Sequence, residues 1–274
     1  MPLLTIPASP LRPGIRPVSI QYRERGTGVP LVLLHGGWGN GIYPFDRAIA
    51  ALSDRFHVFA PDRSGYGGSG PIDHLDADFH EQAAAETFAV LDALGLDRVC
   101  LWGHSDGAVI GARMALQQPE RFAGLVLEAL HLYGVKPASR PFFAGLAEHP
   151  EGLDPRVATV LAAEHGEAYW PTLIRLHGRA WLALADRSPS PDADLYGGRL
   201  GALRVPVLIL HGRQDPRTEP GELDALRRAL PGATFAVLED GGHCPHSERA
   251  VAEAATVVAA AFLDRCVEVA HVRR

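Results

Sequence analysis

Six runs of largely apolar residues limit what this chain can fold into: Leu31 to Leu34, Phe56 to Ala60, Val99 to Trp102, Gly124 to Leu130, Val205 to Leu210 and Thr234 to Leu238. Continuous apolar runs of this length suit strands buried on both faces. Helix-length segments lie between them. Phe79, Ala83, Phe88, Leu91 and Leu94 recur near helical spacing, an Ala-rich stretch runs from Asp106 to Gln118 before Pro119, and Ser247 to Val267 closes the series. The alternation predicts an α/β fold, with a mostly parallel central sheet and helices on both faces. In such sheets the chemistry lies beyond the carboxyl ends of the strands, so a motif gains weight if it directly follows one.

The rhythm breaks once. His131 to Arg204 is far longer than an ordinary crossover. Within it Trp170, Leu173, Ile174, His177, Trp181 and Leu184 keep helical spacing, and Trp170-Pro171 reads as a helix start. The expected organisation is a core domain of residues 1–130 and 205–274, with a helical lid, residues 131–204, inserted before the acid-bearing strand. An extra helical layer is the plainer alternative. The first 17 residues carry five prolines and read as an extended arm.

Gly103-His104-Ser105-Asp106-Gly107 follows the third run and opens the Ala-rich helix. This G-x-S-x-G pattern places a serine on a sharp strand-to-helix turn, with glycines where neighbouring backbone leaves no room for a Cβ. A serine needs a base to take its proton and an acid to orient that base. Asp215 follows the fifth run and His243 the sixth, in the order serine, acid, histidine. Glu128 is the rival acid and His246 the rival base. Two backbone N–H groups must face the oxyanion. Asp106 is expected to supply one. Gly37, in His35-Gly36-Gly37-Trp38-Gly39, is expected to supply the other, with Trp38 as the alternative.

Together these segments resemble the α/β-hydrolase superfamily over about residues 18 to 265. The run Asp62-Arg63-Ser64-Gly65-Tyr66-Gly67-Gly68-Ser69 strengthens the likeness and corresponds there to a structural turn. The resemblance implies a serine hydrolase acting on a small-molecule carboxylic ester through an acyl-enzyme on Ser105. The Ser-Asp-Gly elbow and the Asp215-Pro216 pair are similar to those of the biphenyl-hydrolase-like (valacyclovir hydrolase) proteins. In that group the Asp after the nucleophile helps to recognise the α-amino group of amino-acid esters, which implies the same for Asp106; lactones are also open. A carbon–carbon bond hydrolase, a lyase using Glu128, His131 or His177, and a small-molecule receptor with vestigial hydrolysis are the alternatives. Trp38, Asp106, His131, Trp170, His177 and Trp181 are the candidate substrate-binding residues.

No cofactor is needed for this chemistry. His243-Cys244-Pro245-His246 lacks the spacing of a zinc site, so no metal is expected. A net charge of −6 without a basic stripe argues against nucleic acid as a partner. No run is long enough to span a bilayer and no leader pattern is visible, so no membrane partner and a cytoplasmic location are expected.

Overall fold

All six apolar runs form strands in the computed structural model, which describes residues 1–272. They are β3 (Val29–Leu34), β4 (Phe56–Pro61), β5 (Val99–His104), β6 (Phe122–Glu128), β7 (Val207–Gly212) and β8 (Thr234–Leu238). Two further strands, β1 (Leu3–Ile6) and β2 (Val18–Arg25), pair antiparallel at one edge. The expected N-terminal arm is therefore partly a hairpin. Its polar-apolar alternation, as in Val18-Ser19-Ile20, is that of a strand buried on one face only. The sheet order is β1-β2-β4-β3-β5-β6-β7-β8, parallel from β4 to β8.

Successive side chains of a strand point to opposite faces, and the core divides accordingly. Val32, Leu34, Leu101, Leu127 and Ile209 pack beneath α2 (Phe79–Ala93) and α3 (Asp106–Gln117). Leu31, Leu33, Cys100, Trp102, Leu208 and Leu210 pack against α1 (Asp46–Leu52) and α8 (Ala252–Val272) on the other face. The last helix starts later than expected, because Gly242 and Cys244 donate their N–H groups to Glu248 in the turns before it.

Between β6 and β7 the chain forms α4 (Arg140–Glu148), α5 (Pro155–His165) and α6 (Trp170–Arg187). Near the entry to this insertion, Lys136 is buried and donates to Glu222 at 2.7 Å and to the Arg217 carbonyl at 2.8 Å. Glu222 begins α7 (Glu222–Ala229) and also accepts from the N–H groups of Leu132 and Tyr133. No helix among the described residues is long and apolar enough to cross a membrane.

Candidate active site

Ser105 stands between β5 and α3 with φ 53° and ψ −118°, a conformation costly to any residue with a Cβ. The turn closes because Gly103 and Gly107 carry none: a Cβ would lie 2.2 Å from the Gly107 carbonyl oxygen in one case and 2.1 Å from that of Leu34 in the other. The Ser105 N–H donates to the Glu128 carbonyl at 2.9 Å, anchoring the turn to β6.

The loops after β7 and β8 bring Asp215 and His243 to Ser105. Ser105 Oγ donates to His243 Nε2 at 3.1 Å, and His243 Nδ1 donates to the two Asp215 oxygens at 2.9 and 3.0 Å. Burial alone would raise the Asp215 carboxyl. The His243 imidazole, the nearby His211 and the Arg217 N–H outweigh it and hold Asp215 well below the usual range. The rivals, Glu128 and His246, pair instead with each other. Glu128 accepts from Trp102 Nε1, from the His246 N–H and from His246 Nδ1, while His246 Nε2 donates to the Tyr43 carbonyl. Cys244 completes a buried trio of possible metal ligands with them. The hydrogen bonds of Glu128 and His246 already engage those donors, and burial raises the Cys244 thiol, so the set fits a structural network better than a metal.

The glycine loop after β3 is held from two sides. Arg63 donates to the carbonyl oxygens of His35 at 2.5 Å and Gly36 at 2.9 Å, and its N–H donates to His35 Nε2. The turn that begins at Asp62 thus grips the loop that carries Gly37. From the insertion, Glu164 accepts the N–H groups of Asn40 and Gly41, both at 2.7 Å. His165 donates to the Trp38 carbonyl and accepts from the Gly67 N–H. The Asp106 N–H belongs to the first turn of α3, where no intrahelical acceptor exists.

A cavity of about 160 Å³ lies over Ser105 and His243. Of the candidate substrate-binding residues, Trp38, His131, His177 and Trp181 line it, as does Gly37. His131 Nε2 lies 3.3 Å from Ser105 Oγ. Two candidates fall elsewhere. Trp170 begins α6, eleven residues before Trp181 and so about 16 Å away along the axis; it borders a separate surface depression with Ala158 and Ala162. The Asp106 carboxylate is 1% exposed and is enclosed by His80 Nε2 at 3.1 Å, His177 Nε2 at 2.8 Å and Trp181 Nε1 at 3.2 Å. Burial opposes its ionisation, but the two imidazoles hold it well below the carboxylate range. These donors occupy the carboxylate and leave a substrate ammonium no place on it. The reading of Asp106 as an ammonium site is corrected on that geometry: three N–H groups, two of them from α6, have taken the position.

Sequence reasoning missed Tyr43, Phe142, Phe143 and Arg217, all on the cavity wall. Arg217 was within reach of it, since it lies on the loop that carries Asp215. Tyr43 stands in an irregular loop whose sequence gives no signal.

The alpha/beta hydrolase family model matches residues 31–257. A pimeloyl-(acyl-carrier protein) methyl ester esterase of Nitrosomonas europaea is 31% identical over 256 residues, covering 83% of this chain and 93% of that protein. Serine hydrolase BPHL of Homo sapiens is 27% identical over 233 residues, covering 84% and 78%. A thermophilic esterase from Thermogutta terrifontis shares the fold, with a TM-score of 0.73 at 24% identity over 97% of this chain and 99% of its own.

Proposed function

The chain belongs to the alpha/beta hydrolase family, and we propose that it cleaves a small-molecule carboxylic ester through an acyl-enzyme on Ser105. The observation that carries this reading is the unbroken line from Ser105 Oγ through His243 to Asp215, with bonds of 3.1 and 2.9 Å at the floor of a cavity. The esterase and hydrolase names of the relatives support it. The cavity is smaller than the roughly 300–1,000 Å³ of drug-sized ligand sites, which suits a small ester.

In the proposed reaction Ser105 Oγ attacks the carbonyl carbon while its proton passes to His243 Nε2. Asp215 orients the imidazole and stabilises its cation. The N–H groups of Gly37 and Asp106 face the oxyanion, aided by the positive end of α3. The carbon–oxygen bond then breaks, and His243 gives its proton to the departing alcohol. A water molecule gives a proton to the same nitrogen as it attacks the acyl carbon, and Ser105 recovers that proton as the acid leaves. A lyase or carbon–carbon hydrolase would need a further acid or base. Glu128 is engaged by His246 and His177 by Asp106, so His131 is the group the alternative would have to use.

Hydrolysis of p-nitrophenyl butyrate by the wild type and by Ser105→Ala tests the reading. The substitution should lower kcat by at least about 10³-fold while the unfolding midpoint stays near that of the wild type. Turnover at the wild-type rate by Ser105→Ala would refute the assignment.

A further inference from the structure

The cavity wall has one strongly basic side chain, and among the described residues it has no carboxylate partner. Arg217 lies two residues beyond Asp215 and faces the same space as Ser105, Tyr43, Phe142 and His243. Its surface counterparts are paired: Arg213 with Glu239 at 2.9 Å, and Arg227 with Asp224 at 2.8 Å. Arg217 is half-buried, and its Nη1 atom is enclosed without a hydrogen-bond acceptor from the protein. Burial works against its charge; Asp215 and Glu219 are the carboxylates near enough to favour it. Asp215 is bound to His243, and Glu219 accepts the N–H groups of Ala138 and Ser139.

The backbone of Arg217 is held from both sides. Its N–H donates to Asp215 Oδ1 at 2.8 Å, and its carbonyl accepts from Lys136 Nζ at 2.8 Å. The guanidinium lies 3.8 Å from the centre of the Phe142 ring. A guanidinium fixed in this way presents a fork that matches a carboxylate. The rest of the wall is largely aromatic, with Trp38, Tyr43, Phe143 and Trp181. The Asp106 carboxylate, which would have favoured a cation, is enclosed by its three donors.

We propose that Arg217 makes this cavity selective for esters that carry a carboxylate, which its guanidinium binds while Ser105 engages the ester carbonyl. The inference rests on the serine-hydrolase reading and reverses the sign of charge expected from the Ser-Asp-Gly elbow. The carboxylate can belong to the acyl part or to the alcohol part, and two substrate pairs separate these. One is p-nitrophenyl hydrogen glutarate against p-nitrophenyl pentanoate. The other is 4-carboxyphenyl butyrate against phenyl butyrate.

In one of the two pairs, the wild type should favour the anionic member. The anionic-to-neutral ratio of kcat/KM in that pair should fall by about 10- to 100-fold in Arg217→Met, the scale of a lost hydrogen bond to a charged group. Arg217→Lys, which keeps a point charge without the fork, should fall between. The pair that responds identifies the side carrying the carboxylate. If Arg217 serves only to support Phe142, both members of each pair decline together and the ratios stay constant, which overturns the proposal. If no ester is turned over in a Ser105-dependent way, the hydrolase reading fails by itself. Calorimetric titration of Ser105→Ala with glutarate then decides the anion site. Binding that disappears in Ser105→Ala/Arg217→Met upholds it; no binding, or binding that survives the second substitution, rejects it.

Discussion

The imidazole rings of His131 and His243 lie 5.8 Å apart and within 17° of parallel, and both present Nε2 to the Ser105 hydroxyl. A hydroxyl has one proton to give. His243 carries its own proton on Nδ1, toward Asp215, so its Nε2 accepts from Ser105. His131 Nε2 must then be the donor to Ser105 Oγ. Burial, Lys136 and His243 keep the His131 pKa well below that of an ordinary imidazole, which leaves it the neutral tautomer this requires. His131→Ala should lower kcat by about 10- to 100-fold, the worth of one hydrogen bond that strengthens as charge develops on the serine. KM should move less, and His131→Gln, whose amide can still donate, should recover part of the loss. Steady-state kinetics on one neutral ester is sufficient, and an unchanged kcat in His131→Ala would remove the residue from the reaction.

Asp106→Asn should cost roughly 3 kcal/mol of stability, because a buried charge is removed from three N–H groups aimed at it. Denaturant unfolding measures this directly. Turnover of neutral and α-ammonium esters should fall to a similar extent. A loss confined to the cationic esters would mean that the carboxylate does reach substrate.

At Gly37 a methyl group would lie 2.0 Å from His177 Nε2 and 2.7 Å from Asp106 Oδ2. Gly37→Ala must therefore push the loop away from α6 and move the N–H proposed for the oxyanion. A fall in kcat of about 100-fold is expected, comparable to the loss of one oxyanion donor. An alanine variant as fast as the wild type would place the second donor elsewhere.

Acid should unfold this protein early. Burial lowers His80 to about 4 and His104 to about 3, and holds His35 and His131 well below the usual range. In the unfolded chain these rings protonate near pH 6.5. As the pH falls from there toward 3, the unfolded state binds more protons than the folded one. Stability then drops by up to about 1.4 kcal/mol per pH unit for each such ring. Asp215 and Asp106 are held low by their imidazole partners against the opposing effect of burial. Their contribution is present above the ordinary carboxylate pKa and is lost as the pH falls through the folded value. The denaturant midpoint should be level above about pH 7 and decline steadily below it. A midpoint that stays level down to pH 5 would show that these rings titrate in the fold as they do in water.

The elements legible in the sequence were those whose burial leaves a simple pattern. β3 to β7 announce themselves because both faces are covered, and β8, though a half-buried edge strand, is still apolar from Phe235 to Leu238, whereas β1 and β2 alternate at the other edge among prolines. Ser105, Asp215 and His243 could be read together because each lies on the turn or loop that follows a strand, and parallel strands bring their carboxyl ends to one side. Trp170 was misplaced because helical spacing reports the face of a helix and not the height along it. His177 and Trp181, one turn apart, share the face and lie within about 6 Å of each other along the axis, and both reach the cavity. The side chain of Asp106 could not be assigned from local sequence, since its partners come from α2 and α6, 26 to 75 residues away.

Glu164 is far from the reacting atoms in sequence, yet it takes the N–H groups of Asn40 and Gly41. A stretch containing Gly36, Gly37, Gly39 and Gly41 would otherwise sample many conformations, and an oxyanion would have to select the one with its donors aligned. Glu164, together with Arg63 and His165, makes that selection when the chain folds. The ordering entropy is then absent from the barrier of each turnover, so a substitution at this remote carboxylate would act as a catalytic lesion without touching substrate.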